Sequence, residues 1–309
     1  MSGSENTIPI EAWNTILFDK FCRFRDALTQ GLSGHSAAFF NRRAYPMGAR
    51  VLDVGCGFGD TTQAIAVQVG PSGAAVGVDC AKNFTDIATR EARQAGLGNA
   101  SFFTADVQSD DLRGPYDHIF SRFGTMFFNL PGAALRNIRR ALKPGGDFTM
   151  IVWRRREDNA WIHEAELVVK AIVPVVSHDQ TDQVHCGPGP FSMAGPDMVS
   201  DMLRGAGFER ISFERYDTDV CIGRTLDEAV EFAMALGPAG EIIRLAGAEG
   251  ESRKPEVIAA LKKLFAQHSR GDGIWFGSSS WIITARPDTP KDADKRVWLE
   301  SPATGREII

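Results

Sequence analysis

The chain has 309 residues, 43% hydrophobic and 24% charged, which is the composition of a globular protein with room for one large domain or two ordinary ones. With 34 Lys and Arg against 39 Asp and Glu the formal net charge is -5, and no basic run or basic-aromatic stripe stands out, so nucleic acid is not an expected partner. The five cysteines, Cys22, Cys56, Cys80, Cys186 and Cys221, are scattered without a C-x-x-C pair, and neither a disulfide framework nor a zinc or other metal site is expected.

In chain order, the first residues carry no charged and then apolar leader, and no apolar run approaches the ~20 residues of a membrane span. The expectation is a cytoplasmic protein. From 9 to 45, Trp13, Leu17, Phe18, Phe21, Phe24 and Leu28 recur at roughly helical spacing, predicting one or two helices. The apolar strand Val51-Leu52-Asp53-Val54 then runs into Gly55-Cys56-Gly57-Phe58-Gly59, with a helix predicted from Asp60 to Val69. Glycines at alternate positions bring main-chain N–H groups against a ligand, and the helix N-terminus adds free donors at the same spot.

Spacing separates the cofactor classes. In G-x-G-x-x-G the third glycine packs the helix under a pyrophosphate, but counting from Gly55 that place is Asp60, whose charge repels a diphosphate. The next strand, Ala75 to Val78, ends in Asp79, placed to accept from both hydroxyls of a ribose. A third strand, Ser101 to Thr104, ends in Ala105-Asp106-Val107 and brings a second carboxylate to the same edge. A nucleoside with an exocyclic amine suits that pair.

Further on, the sequence predicts a helix over 83–95, a strand over 118–123, a helix over 133–142, a Pro-Gly-Gly turn, a strand over 147–153, a helix over 197–206 and strands over 210–216 and 277–286. Alternation of strands and helices implies an α/β fold with a parallel sheet covered on both faces. Two stretches exceed what such a core needs. Residues 157–192 contain a helix, Trp161 to Val173, and the loop at 188–191; residues 225–270 contain two helices separated by Gly247-Ala248-Glu249-Gly250-Glu251. Both leave and rejoin at the ligand-binding side of the sheet and read as a cap over an acceptor pocket.

These segments resemble the class I S-adenosylmethionine-dependent methyltransferases, in particular the broad small-molecule group that includes ubiquinone and menaquinone methyltransferase-like proteins. The resemblance rests on LDVGCGFG at 52–59, GVD at 77–79, TAD at 104–106, the strand His118 to Phe123, and Leu142-Lys143-Pro144-Gly145-Gly146, which together span roughly 45–153. It implies a Rossmann-like doubly wound, mostly parallel seven-stranded sheet with helical cap insertions and an antiparallel final strand. The expected division is 1–45 N-terminal lid helices, 46–156 cofactor-binding core, 157–192 cap insertion, 193–224 core, 225–272 cap insertion, 273–287 last core strand and 288–309 a mobile tail. For the N-terminal helices, core packing and lid function weigh equally.

The resemblance further implies S-adenosyl-L-methionine as cofactor, with Gly55, Gly57 and Gly59 facing its methionine part, Asp79 the ribose, Asp106 the adenine amine, and Cys80 and Val107 on either side of the ring. Asp53 either reaches the cofactor amino group through water or anchors the glycine loop; Cys56 and Ser121 complete the cofactor set. Methyl transfer needs alignment and a dry pocket rather than a covalent nucleophile, so catalytic residues are not expected to be legible. Weak candidates are His163 and His185, with His178 beside them, and Arg122, which either holds a carboxylate or makes a strand-end ion pair. His118 belongs to the wrong end of the sheet and His268 to a helix surface. Trp13, Phe123, Phe127, Trp153, Trp161, Phe191 and Trp275 are, with Arg122, the candidate acceptor residues, about half of the aromatics being expected as plain packing. Arsenite methyltransferases carry cysteines that Cys56, Cys186 and Cys221 imitate at poor spacing; buried, unreactive thiols are the better reading. The leading function is methylation of a small, partly apolar metabolite. The alternatives are a cofactor-binding regulator or assembly partner without turnover, and a nicotinamide-dependent dehydrogenase, which Asp60 and Asp106 disfavour.

Overall fold

The computed structural model describes residues 7–174 and 189–288. Its amino-terminal segment is helical, with α1 (Thr7–Asn14), α2 (Ile16–Arg23) and α3 (Ser33–Arg42), and a π turn over Ala27–Gly31 between the last two. There follow β1 (Arg50–Val54), α4 (Asp60–Val69), β2 (Ala74–Asp79), α5 (Lys82–Gln94), β3 (Ala100–Thr104), β4 (Tyr116–Arg122), α6 (Pro131–Arg140) and β5 (Leu142–Trp153). The carboxyl-terminal half adds α7 (Ala160–Ile172), α8 (Pro196–Gly205), β6 (Phe208–Gly223), α9 (Leu226–Leu236), α10 (Pro238–Leu245), α11 (Gly247–Ala266), β7 (Ser269–Arg270) and β8 (Gly273–Pro287).

The strands form one sheet in the order β3-β2-β1-β4-β5-β8-β6, with the two-residue β7 paired to β8 off that path. The first five are parallel, and β8 runs antiparallel to both β5 and β6. Residues Val51–Val54 and Ala75–Val78 are buried throughout, as strands covered by helices on both faces must be, and apart from Asp53 they carry no charged or polar side chain. On one face α3 and α4 pack Phe39, Ile65 and Val69 against Val51 and Phe120. On the other, Leu135 and Ile138 of α6 join Leu52, Ile119 and Met150 of the sheet. Among the described residues no helix is long and apolar enough to cross a membrane.

Three expectations change. Pro144-Gly145-Gly146 lies within β5 as an irregularity, the register jumping from Tyr116↔Leu142 to His118↔Asp147, because Gly145 takes φ +81° and lets the strand bulge without ending. β6 has 16 residues and β8 15, longer than the strands expected over 210–216 and 277–286, their ladder running from Phe208↔Pro287 to Gly223↔Ile274. The segment 225–270 holds three helices instead of two, and Gly247 to Glu251 is the opening of α11, not a linker. The tail beyond 288 lies outside the described residues.

The helices of 225–270 are also part of the protein's main core. Phe232 of α9, Ile243 of α10 and Phe265 of α11 belong to the same contiguous cluster of buried side chains as Leu52, Ile119 and Met150. A cap removable at no cost to the cofactor domain is therefore not what the packing describes. Phe265 is fully buried, and Phe265→Ala is expected to lower stability by ~3 to 5 kcal/mol in urea unfolding. Replacement of 225–270 by a Gly-Ser connection is expected to abolish cooperative melting and cofactor binding together; a shortened chain that melted cooperatively and still bound cofactor would contradict the shared core.

Candidate functional site

β1 pairs with β2 on one side and β4 on the other, so the connections leaving the carboxyl ends of β1 and β4 diverge and open a crevice between them. A cavity of about 530 Å³ lies there. Its sheet-side wall is made by the ends of β1, β2, β4 and β5 and the segment after β3, and its opposite side by α1, α2 and α9, with Trp161 of α7 and Gly189 and Pro190 closing one flank.

The glycine loop is built by opposed demands on its three glycines. Gly55, Gly57 and Gly59 all have positive φ, at +68°, +51° and +80°. At Gly57, a cavity-lining residue, an added Cβ would meet nothing within 4 Å and would project into open space. At Gly59 it would strike Ala88 Cβ and Phe102 Cε1 at 2.8 Å, so this glycine serves the packing of the loop on α5 and β3 and caps α4.

Asp79 ends β2 beside that loop, and both its oxygens are oriented by the backbone: Gly57 N–H donates to Oδ2 at 3.0 Å and Ala81 N–H to Oδ1 at 3.0 Å. Burial pushes its pKa up, against the pull of those two N–H groups. Asp106 Oδ1 accepts from the Gln108 backbone at 3.0 Å and from Gln108 Nε2 at 3.1 Å. Gln108 also lines the cavity and holds Leu130 N–H through its own oxygen, a role that no sequence signal marked.

Gly55, Cys56, Gly57, Asp79, Cys80, Asp106 and Val107, all candidate cofactor residues, line the one cavity. The other three do not. Asp53, 1% exposed, accepts from the Thr61 and Thr62 hydroxyls at 2.6 Å each and so ties β1 to α4; burial raises its pKa to about 6 in spite of those bonds. Ser121 is fully buried and donates to the Val54 carbonyl at 2.8 Å. Gly59 faces α5 and β3, as above. Burial, then the neighbouring carboxylates, drive the Cys56 and Cys80 thiols up, so both stay protonated and unreactive. Cys186 lies outside the described residues, which contain no cluster suited to a metal ion.

Of the acceptor candidates, Trp13, Arg122, Phe123, Phe127, Trp153 and Trp161 line the cavity. Phe191 and Trp275 do not. Phe191 packs against the core and the Arg156 guanidinium at 5.4 Å, leaving Gly189 and Pro190 in the wall, while β8 begins early enough to draw Trp275 into the ladder beside β7, where its N–H donates to His268 O. Arg122 makes an ion pair with Asp60, itself in the wall, at 2.7 Å, and also donates to Ser36 Oγ at 3.2 Å. Ser36 is on α3, so the guanidinium links the sheet edge to the N-terminal helices. His163 is not in the wall, and His178 and His185 lie outside the described residues. His118 sits at the opposite end of the sheet, 3.2 Å from Asp147, and His268 stacks on Phe276 at 3.8 Å rather than facing solvent from a helix.

One histidine that the sequence did not single out packs against two rings of the cavity wall, Phe123 and Trp153. His35 of α3 is fully buried, with Nδ1 2.8 Å from Ser280 Oγ and Nε2 2.9 Å from Ser278 Oγ. Burial, reinforced by Arg122 and opposed by Asp217, lowers its pKa to about 3.

A family model described as a methyltransferase domain matches residues 51–146, the segment that contributes the glycine loop, Asp79 and Asp106. Residues 51–146 form a methyltransferase domain of the S-adenosylmethionine-dependent kind. The nocamycin O-methyltransferase of Saccharothrix syringae is 30% identical over 170 residues, 53% of this chain and 60% of that protein. A demethylmenaquinone methyltransferase of Lactococcus lactis is 24% identical over 176 residues, covering 55% of this chain and 69% of its own length. Among solved structures, the YcgJ protein of Bacillus subtilis superposes with a TM-score of 0.54 at 19% identity, covering 83% of this chain and 99% of that one. A putative methyltransferase of Bacillus halodurans gives 0.52 at 18% identity, covering 82% and 98%. At that identity the structural likeness concerns the fold, a mostly parallel α/β sheet.

The residues present fit the family's cofactor. Gly57 leaves space in the wall that any side chain would fill, and Asp79, fixed by two backbone donors, borders the same space. Asp79→Ala is expected to weaken S-adenosylmethionine binding by ~2 to 4 kcal/mol, the scale of lost charged hydrogen bonds, in calorimetric titration. Gly57→Ala should weaken binding and, because Gly57 has φ +51°, lower the melting temperature modestly, whereas Gly59→Ala should lower it more, because its methyl group also meets packed side chains. Loss of stability in the first and not in the second would reverse the division of labour drawn here.

His35 carries a pH prediction. Its pKa is depressed by folding, from the 6.5 of a free imidazole to about 3, so the neutral form is favoured in the native state. The stability this provides is complete above pH 6.5 and is lost as the pH falls from there toward 3, at up to ~1.4 kcal/mol per pH unit. Stability measured by denaturant from pH 7 to 4 should fall more steeply for the wild type than for His35→Gln, and equal slopes would remove His35 as the source.

Proposed function

We propose that the protein transfers the methyl group of S-adenosylmethionine to a small, partly apolar metabolite by in-line displacement. The observation that carries this reading is the composition of one continuous cavity. Gly57, Asp79 and Asp106 border it on one side, and Trp13, Phe127, Trp153, Trp161 and Phe232 on another. The first group suits a nucleoside with hydroxyls and an exocyclic amine, the second an apolar body, and sharing a cavity brings the two within reach. The names of the nocamycin and demethylmenaquinone relatives, both small-molecule methyltransferases, support the same reading.

S-adenosylmethionine, when bound, supplies a methyl group already activated on a positively charged sulfur. The chain's task is then placement and exclusion of water. Asp79, held by the Gly57 and Ala81 N–H groups, fixes one ligand's sugar, and Asp106, steadied by Gln108, presents an acceptor to its base. On the far side Trp13 meets Phe127 edge to face at 5.1 Å and Phe123 stacks on Trp153 at 3.9 Å, which makes rigid apolar surfaces for the second ligand. Holding two reactants in line in this way is worth ~7 to 11 kcal/mol of the barrier. A general base is required only where the acceptor keeps a proton of high pKa.

The test is a turnover screen with methyl-labelled cofactor against fractionated metabolite pools, read by mass spectrometry. Label is expected in small apolar acceptors, and Trp153→Ala should lower kcat by ~10²-fold while cofactor affinity stays within ~2-fold, since misplacement of the acceptor costs on that scale. Tight cofactor binding with no labelled product from any pool would favour a binding protein without turnover.

A further inference from the structure

Phe123 is one of three non-glycine residues with positive φ, at +58°, and of these only Phe123 is in the cavity wall among the described residues. A bulky residue in the left-handed region is strained by ~1 to 3 kcal/mol and persists only where its surroundings fix it. Its position gives the strain a purpose. Phe123 follows the last residue of β4, and the next residue, Gly124, abuts the glycine loop so closely that a Cβ on Gly124 would stand 3.0 Å from Val54 O and 3.1 Å from Gly55 Cα. The Phe123 ring therefore marks the join between the cofactor loop and the aromatic wall.

Three contacts fix it. Its N–H donates to Ile151 O at 2.9 Å, its ring stacks on Trp153 at 3.9 Å with 16° between planes, and the His35 imidazole lies across it at 5.4 Å with 82° between planes. His35 also meets Trp153 at 5.1 Å and 89°, so one imidazole braces both rings of the stack from behind. The imidazole is itself immobile. Ser278 Oγ donates to Thr218 O at 2.6 Å, which leaves its oxygen to accept from His35 Nε2–H; Nδ1 of the neutral ring then accepts from Ser280 Oγ–H. Tyr216 closes a third side at 5.7 Å, and the charged groups around the ring are Arg122 of β4 and Asp217 of β6.

We propose that His35, clamped between Ser278 and Ser280, is a positioning residue that holds Phe123 in its left-handed conformation and so sets where the acceptor meets the glycine loop. The proposal rests on the methyltransferase reading for its consequence in turnover, but not for the contact between the two rings.

Two measurements test it. The first needs no substrate: 4-fluorophenylalanine placed at position 123 reports the ring's surroundings by fluorine NMR. His35→Gln, and separately Ser280→Ala should His35→Gln fail to fold, is expected to shift or broaden that resonance in a protein with unchanged cofactor affinity. A resonance identical to that of the parent overturns the proposal. The second is a double-mutant cycle on an acceptor identified by the labelled-methyl screen. In the wild-type background His35→Gln should lower kcat by about tenfold or more while the cofactor Kd changes by less than about twofold, and in a Phe123→Gly background, where glycine takes positive φ freely, the same change should move kcat by less than about twofold. Equal losses in both backgrounds would make His35 a merely structural residue. Failure to find any acceptor tells against the methyltransferase reading and leaves the fluorine result standing.

Discussion

The site depends on the pairing of β1 with two parallel neighbours whose onward connections go to opposite faces. α4, leaving β1, buries Ile65, Ala66 and Val69 in one cluster; α6, following β4, buries Leu135 and Ile138 in the other. Nothing fills the space between the departing chains, and the crevice there is a consequence of the sheet order rather than of any one side chain. What the side chains decide is how narrow it is. Gly55 and Gly124 meet backbone to backbone across it, a Cβ on Gly55 falling 3.0 Å from Gly124 Cα. Larger residues at either place would force the ends of β1 and β4 apart and carry the aromatic wall away from the glycine loop.

The cofactor side of this arrangement was legible in the sequence because each of its parts is a short contiguous motif whose chemistry depends on the neighbouring backbone. Gly55 to Gly59, Asp79 and Asp106 each sit at a strand end, and strands covered on both faces announce themselves as apolar runs. The motif could not say which glycine served the ligand and which the packing. That distinction turns on Ala88 and Phe102, which approach Gly59 and not Gly57. Asp53 and Ser121 stay out of the cavity wall for a related reason: side chains on a strand alternate between faces, and theirs bond to α4 and to β1, which for Asp53 is the anchoring alternative of its two readings.

The acceptor side was legible only as composition. Trp13 touches Phe127, and Trp161 lies 6.0 Å from Phe232, contacts between elements far apart in the chain that no local pattern ties together. The carboxyl-terminal helices were read as a covering over a finished core because the parallel part of the sheet looked complete without them. It is not. Phe232 is buried in the main core cluster and also borders the cavity, so α9 serves stability and pocket shape at once. His35 escaped notice because its partners, Ser278 and Ser280, look like ordinary strand residues until β8 brings them opposite α3.

The charges of the wall complete the physical picture. Among the described residues it holds three carboxylates, Asp60, Asp79 and Asp106, and two cations, Lys20 and Arg122. Arg122 and Asp60 offset one another at 2.7 Å, and Lys20 stands across the cavity on α2, where its ammonium donates to Ala235 O at 3.2 Å. Asp79 and Asp106 are each oriented by N–H donors, Asp79 by Gly57 and Ala81 and Asp106 by Gln108, in a space whose remaining walls are largely aromatic.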